Sequence, residues 1–424
     1  MLIKKLSAIA ALSGFALVSS SAMADDNAEL KEMLLQQQKQ IEMLQKKVEK
    51  QETVHNEALT HYIKNEIDRA LAAKSSSLLT LGSNVENLTF KGDLRVRYEA
   101  RESDTGASRD RFRQRFRLGF LWKTNEGWEI GAGLITGEQN NTDGASGATS
   151  GNDTYSANSP FETGGIFLDY AYAKHKFENG LSLTLGQHKN PYINAADYMF
   201  DSDVRFVGAT LHYDSQDSGL FATAGAYVVQ TFQGTENDDA NLYALQVGME
   251  EGGFLVALSY YHFDGAASDD VLGTGTNEVN VISGYAEYSG KTDMFKYKFF
   301  GEYSVNVAAD DSGTSQVGGV VTEEEDENIA FVLGAELGID KWKIKYAFAH
   351  IESDSYFGPL TDADFGTAIS NSNNSNNIEG HEISVGYNVT KNFQIEATYI
   401  MAEQLDGNVN DEGELFQLDF KYKF

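Results

Sequence analysis

The chain of 424 residues has no cysteine, only three prolines and only ten arginines. Without cysteine there is no disulfide framework, thiolate metal site or cysteine nucleophile. With so little proline, long ladders can run unbroken, and 40 glycines, 21 tyrosines and 25 phenylalanines supply turns and β-forming side chains for one large sheet. Positive charge is short as well: 33 basic against 63 acidic residues leave a formal charge of −30. That balance argues against a nucleic-acid partner, because phosphates demand basic surface. After the first two dozen residues no apolar run reaches the ~20 residues of a membrane helix, which excludes a helical membrane protein. The hydrophobic content of 41% is nevertheless ample for a core, so disorder is not the expected state.

Residues 1–24 read as a signal peptide: Lys4 and Lys5, an apolar stretch from Ile9 to Val18, and a small-x-small ending at Ala22-Met23-Ala24. Export to a bacterial envelope is expected, and loss of the two lysines takes the charge from −30 to −32. Residues 25–75 hold no glycine or proline and space Leu30, Leu34, Ile41, Leu44 and Val48 at helical intervals, with Gln37 and Gln51 as polar intrusions. This pattern predicts a periplasmic coiled coil, a solvated helix being the alternative. Residues 76–87 then serve as a linker.

From residue 88 to 424 the period changes to two. Leu88, Phe90, Leu94, Val96 and Tyr98 alternate with Lys91, Asp93, Arg95, Arg97 and Glu99. Arg111 to Trp122 repeats the pattern, and so does the ending, where Phe416, Leu418, Phe420, Tyr422 and Phe424 alternate with Gln417, Asp419, Lys421 and Lys423. Such alternation makes a sheet with one apolar and one wet face. Sixteen segments of this kind start near residues 88, 110, 127, 165, 180, 204, 219, 241, 253, 278, 293, 328, 341, 380, 392 and 414. Short connections such as 124–126 and 390–392 alternate with long ones such as 137–164, 306–328 and 352–380. Short turns at one end, long loops at the other and an even strand number predict an antiparallel transmembrane β-barrel.

Three features agree with this registration. Pro160, Pro191 and Pro359 fall in long loops; Trp122, Trp128 and Trp342 fall beside short turns, where an aromatic girdle would meet the interface; and six long loops hold no Lys or Arg. Such a sheet must close, since each unpaired edge amide in hydrocarbon costs several kcal/mol. A sixteen-stranded barrel is too wide for side chains to fill, so the fold implies a permeability path.

The stretch Gly92-Asp93-Leu94-Arg95-Val96-Arg97-Tyr98, the run from Arg111 to Leu118, Leu168-Asp169-Tyr170-Ala171-Tyr172, and the segment from Leu185 to Tyr192 together resemble the putative porin family of Gram-negative outer membranes. The likeness spans most of residues 88–424 and is strongest up to about residue 213. Phe424 resembles the terminal aromatic that barrel-assembly machinery reads. The resemblance implies a homotrimeric diffusion channel for small hydrophilic solutes, set among outer-membrane lipid and lipopolysaccharide, with no cofactor.

Eight of the ten arginines lie between residues 95 and 117. Arg95, Arg97, Arg111, Arg113, Arg115 and Arg117 should point into the lumen from two paired strands. Like charges across a ladder cost a few tenths to about 1 kcal/mol per pair, so packing does not explain them. A charged pore wall does, the alternative being a merely solvated inner face. The third outer loop, from Asn190 to Asp203, carries Asp197, Asp201 and Asp203 beside Tyr192, Tyr198, Met199 and Phe200. That composition suits a loop folded into the lumen against the arginines; an ordinary surface loop is the rival. Outer clusters such as Asp238-Asp239 and Glu323 to Glu327 could bridge lipopolysaccharide phosphates through divalent cations, or simply keep the rim soluble.

An enzyme is not expected. Eight histidines show no metal-ligand spacing, no G-x-S-x-G elbow occurs, and Gly284 to Thr292 has five residues where a phosphate loop has four. The sequence predicts an outer-membrane channel. A solute-selective channel with an arginine-lined site and a structural or adhesive envelope protein are the alternatives.

Overall fold

A computed structural model describes residues 87–424 apart from stretches at 105–107, 138–152, 155–164, 196–197, 216, 231–239, 265–278, 310–313, 318–319, 324–326, 362, 370–375 and 406–410, with some positions between 32 and 47. The chain divides into two compact units, Met1–Ser83 and Asn84–Phe424. In the first, the described positions are helical and exposed. The signal peptide, the linker and most of the expected coiled-coil seam lie outside the described residues.

The second unit is built on sixteen antiparallel strands: β1 (Leu88–Ser103), β2 (Arg109–Lys123), β3 (Trp128–Gly137), β4 (Gly165–Lys176), β5 (Leu181–Lys189), β6 (Arg205–Asp214), β7 (Leu220–Gln230), β8 (Ala240–Glu251), β9 (Phe254–Asp264), β10 (Val279–Lys291), β11 (Lys296–Asn306), β12 (Ile329–Ile339), β13 (Trp342–Ile351), β14 (Ile378–Asn388), β15 (Phe393–Gln404) and β16 (Glu412–Lys423). Each strand starts within three residues of its expected position. β16 pairs with β1 from Gly413 opposite Ser103 to Lys423 opposite Asp93, which closes the barrel and leaves no free edge. No described helix is long and apolar enough to cross a membrane; strands do the crossing.

Period-two patterning decides which side chain faces out. Leu94 and Val96 are 40% and 42% exposed on the outer wall, whereas Arg95 and Arg97 are 9% and 6% exposed on the inner one. The short turns are tight. Gly180 and Gly253 sit at φ of +84° and +90°, a left-handed conformation where a Cβ would clash, and their carbonyls accept the amides of Asp214 and Ser289 from neighbouring strands. Trp128 and Trp342 stand directly after two of these turns and pack on His175 and Tyr387, with ring centroids 4.8 and 4.7 Å apart.

Two features depart from the simple pattern. The bridge Asp153–Thr154 pairs with β2 where β3 has ended, and a hairpin of Thr314–Val317 with Val320–Glu323 rises in the loop after β11. More consequentially, the inner wall is not wet all round. From β8 to β13 it carries Leu242, Ala244, Ala257, Tyr261, Phe263, Val281, Val332, Ala347 and Ala349, all buried, while Leu245, Val256, Leu258 and Leu333 face outward on the same strands. A sheet apolar on both faces needs a cover inside the barrel.

Candidate functional site

The cover is supplied by two loops. Residues 190–204, between β5 and β6, fold inward: Tyr192, Tyr198, Met199 and Phe200 are 5%, 1%, 0% and 2% exposed. Phe200 packs edge-on against Phe206 and Tyr261, with centroids 5.5 and 5.2 Å away, and Tyr192 meets Tyr261 at 5.5 Å. The loop backbone would be left unpaired among these rings, and polar groups of the wall satisfy it. Gln246 takes the Ile193 amide at 2.9 Å and donates to the Ile193 carbonyl at 2.7 Å, while Glu302 accepts the amide of Ala195. Tyr198 donates to Glu382 at 2.7 Å.

Residues 352–377, between β13 and β14, form the second inward loop, with a 3-10 turn Gly358–Leu360 and a short helix Ala363–Ala368. Tyr356, Phe357 and Phe365 are buried, and the two loops lock together through Phe200 on Tyr356, Tyr198 on Phe365, and the Asp201 amide on the Leu360 carbonyl at 2.9 Å. Only the first loop was expected inside. The signal for the second is its large apolar residues, Tyr356, Phe357, Leu360, Phe365 and Ile369, set among small and polar ones.

Across from the apolar wall stands the arginine ladder. The β1–β2 register sets Asp93 opposite Arg117, Arg95 opposite Arg115, Arg97 opposite Arg113, and Glu99 opposite Arg111. All lie on the inward row, alternating with outward Phe112, Phe116, Leu118 and Phe120. Carboxylates pair with the guanidinium groups of this row. Arg97 makes a two-pronged pair with Asp419 of β16, at 2.7 and 3.0 Å, across the seam that closes the barrel. Glu99, only 1% exposed, is a hub: it accepts Arg111, lies 3.5 Å from Arg113 and 3.6 Å from Arg109, and takes the Gln417 amide at 3.4 Å.

The inward loops reach this ladder at two heights. Asp203 pairs with Arg117 and lies 3.6 Å from Arg115, and Asp364 of the short helix lies 3.7 Å from Arg97. Asp201 instead turns its carboxylate to the Asp203 amide at 2.7 Å, shaping the end of the loop. Asp197 lies outside the described residues. Glu99, Asp93, Asp419 and Asp364 were not singled out from the sequence, although the first three belong to inward rows that alternation makes visible. Their pairing becomes apparent only when the strands are set in register. Among the described residues, Arg97, Arg109, Arg111, Arg113, Arg115 and Arg117 meet Asp93, Glu99, Asp203, Asp364 and Asp419, so the ladder is a dense row of paired charges. Among the described residues no cluster of three His, Asp or Glu is placed to hold a metal ion.

No curated protein matches the chain. Among solved structures, Salmonella typhi OmpF in complex with daunomycin is 13% identical, over 80% of this chain and 97% of that one, with a TM-score of 0.52, which shows a shared barrel fold. Pseudomonas aeruginosa OccK8 (OprE) matches over 81% of this chain and 99% of its own at 11% identity and a TM-score of 0.49. Residues 101–279, which hold most of the ladder, the tyrosine strand β4 and the first inward loop, match the family model described as "Putative porin". A closed sixteen-stranded barrel carrying that family match makes this chain a porin of the bacterial outer membrane, similar to the putative porins.

Proposed function

We propose that the barrel passes small hydrophilic solutes and ions by passive diffusion, as a channel and not a catalyst, and that the ladder favours anions where the loops narrow the path. The observation that carries this reading is the alignment of Arg95, Arg97, Arg111, Arg113, Arg115 and Arg117 on one inward-facing row of two paired strands, beside Asp201 and Asp203 of a loop held in the lumen. Guanidinium groups stay charged at any physiological pH, and a ring of fixed charge in a constriction selects by sign. Asp197 belongs to the same loop and to the same reading. The outer acidic clusters pull the other way, but they are solvated and screened within about 8–10 Å at physiological salt.

The same reading makes residues 1–24 a removed signal peptide, 25–75 a periplasmic coiled coil and 76–87 its linker. Three barrels associate in outer-membrane lipid, with lipopolysaccharide against the acidic outer rim. A solute-selective channel is favoured by one observation, the holding of the first loop by Gln246 and Glu382 and of the second by Asn306, which donates to the Asp354 carbonyl at 2.8 Å, in addition to apolar contacts.

The test is the zero-current potential of the purified protein in planar bilayers across a salt gradient. Replacing Arg113 and Arg115 by glutamine shifts it toward cations, and the shift survives high salt better than one from neutralising Glu323 to Glu327. An unchanged potential in the arginine variant would remove the ladder from the conduction path.

A further inference from the structure

Beside the arginine ladder the inner wall is bare backbone. Gly119 of β2 pairs with Gly133 of β3, and Gly131 is the next inward position on β3. On β4, the register sets Tyr170 opposite Gly133 and Tyr172 opposite Gly131. A side chain at Gly119 or Gly133 would collide with Tyr170, and one at Gly131 with Tyr172. The Tyr170 hydroxyl therefore extends from β4 over β3 to the place where a side chain of Gly119 on β2 would stand, which requires the ring to lie along the wall. Each ring lies over glycine backbone of the inner wall. The two rings adjoin, with centroids 5.9 Å apart and planes at 38°, and Tyr172 is anchored by donating to Glu129 at 3.0 Å. Both are half-buried, so part of each side chain is left uncovered.

Gly119 follows Arg117 by two positions on the same inward row, about 7 Å along the strand. The flat rings thus border the end of the ladder where Arg115 and Arg117 meet Asp203. The apolar side chains of the two inward loops pack elsewhere, against β8–β13 and near Gly380 and Gly413. Wall packing alone would be served by alanine or valine at these glycines and by small residues on β4.

We propose that Tyr170 and Tyr172 form a stacking platform which, with Arg115 and Arg117, recognises organic anions bearing a flat ring face, either an aromatic carboxylate or a sugar acid. The carboxylate exchanges with Asp203 on the guanidinium groups, and the ring lies on the tyrosines. The inference rests on the porin reading and adds the class of solute.

Full-length protein in planar bilayers tests it, with chloride current as the reporter and benzoate, glucuronate or acetate added as blocker. In the native chain a ring-bearing anion blocks at a concentration about three- to tenfold below acetate, the range that an aromatic contact provides. Tyr170→Leu with Tyr172→Leu brings that ratio to about one, and the corresponding Phe pair retains it. If the Leu pair does not insert, Tyr172→Leu alone carries the comparison. Block by benzoate alone assigns the platform to aromatic acids, block by glucuronate alone to sugar acids, and either outcome supports it. Equal block by acetate, or a ratio that persists in the Leu variants, would overturn the platform while leaving the channel intact. Absence of chloride steps from the native chain would overturn the channel reading and the platform with it.

Discussion

The two halves of the inner wall solve opposite problems. On β1 and β2 the lumenal row is charged, and its members are satisfied by ion pairs within the wall and with Asp203 and Asp364 of the inward loops. From β8 to β13 the lumenal row is apolar through Leu242, Tyr261, Phe263 and Val332, and it is stable in a water-filled barrel only because loop side chains bury it. Constriction of the lumen is therefore a consequence of where apolar residues point on the far wall. The charged half then determines what the remaining path prefers.

That contrast can be broken most directly on the apolar side. Phe200 touches Phe206, Tyr261 and Tyr356 and bridges both loops to the wall. Phe200→Ala should cost the loop contact about 3–5 kcal/mol, release residues 190–204 and raise single-channel conductance, with new protease cleavage inside the loop. Unaltered conductance with an intact loop would mean that the polar bonds to Gln246, Glu302 and Glu382 suffice to hold it.

An intermediate effect is expected at the hub of the charged side. Glu99→Gln removes the carboxylate shared by Arg109, Arg111 and Arg113, keeps the shape, and destabilises by roughly 1–3 kcal/mol. Its signature is a zero-current potential moved toward anions, opposite in sign to the arginine variants, read together with a lower melting temperature of the barrel. A move toward cations would show that Glu99 works only by placing the arginines.

The smallest effect is expected at Asp364, whose side chain is 31% exposed and 3.7 Å from Arg97. Asp364→Asn should leave stability within about 1 kcal/mol and shift the potential toward anions by less than Glu99→Gln does. A larger shift than that of Glu99 would make the second loop, and not the ladder's own carboxylates, the main brake on anion passage.

Strand positions, strand number and the sidedness of loops were legible in the sequence because they rest on local rules: alternation every second residue, glycines at tight turns, and the absence of proline from ladders. Arg111 to Arg117 and Phe112 to Phe120 declare their two faces without reference to any other part of the chain. The apolar inner wall was written there too, since Phe254 to Phe263 is apolar at nearly every position, as in strands covered on both faces. Its consequence for the second loop was less visible, because a loop's composition does not say which distant wall it will meet.

What only the tertiary structure decided are the partners. Arg97 and Asp419 are 322 residues apart and meet because β16 closes on β1. Asp203 and Asp364 reach one ladder from two loops, and Tyr170 reaches Gly119 across an intervening strand. Periodicity fixes the direction of each side chain within its strand, whereas ion pairs, aromatic covers and flat rings depend on register and closure, which are properties of the whole barrel.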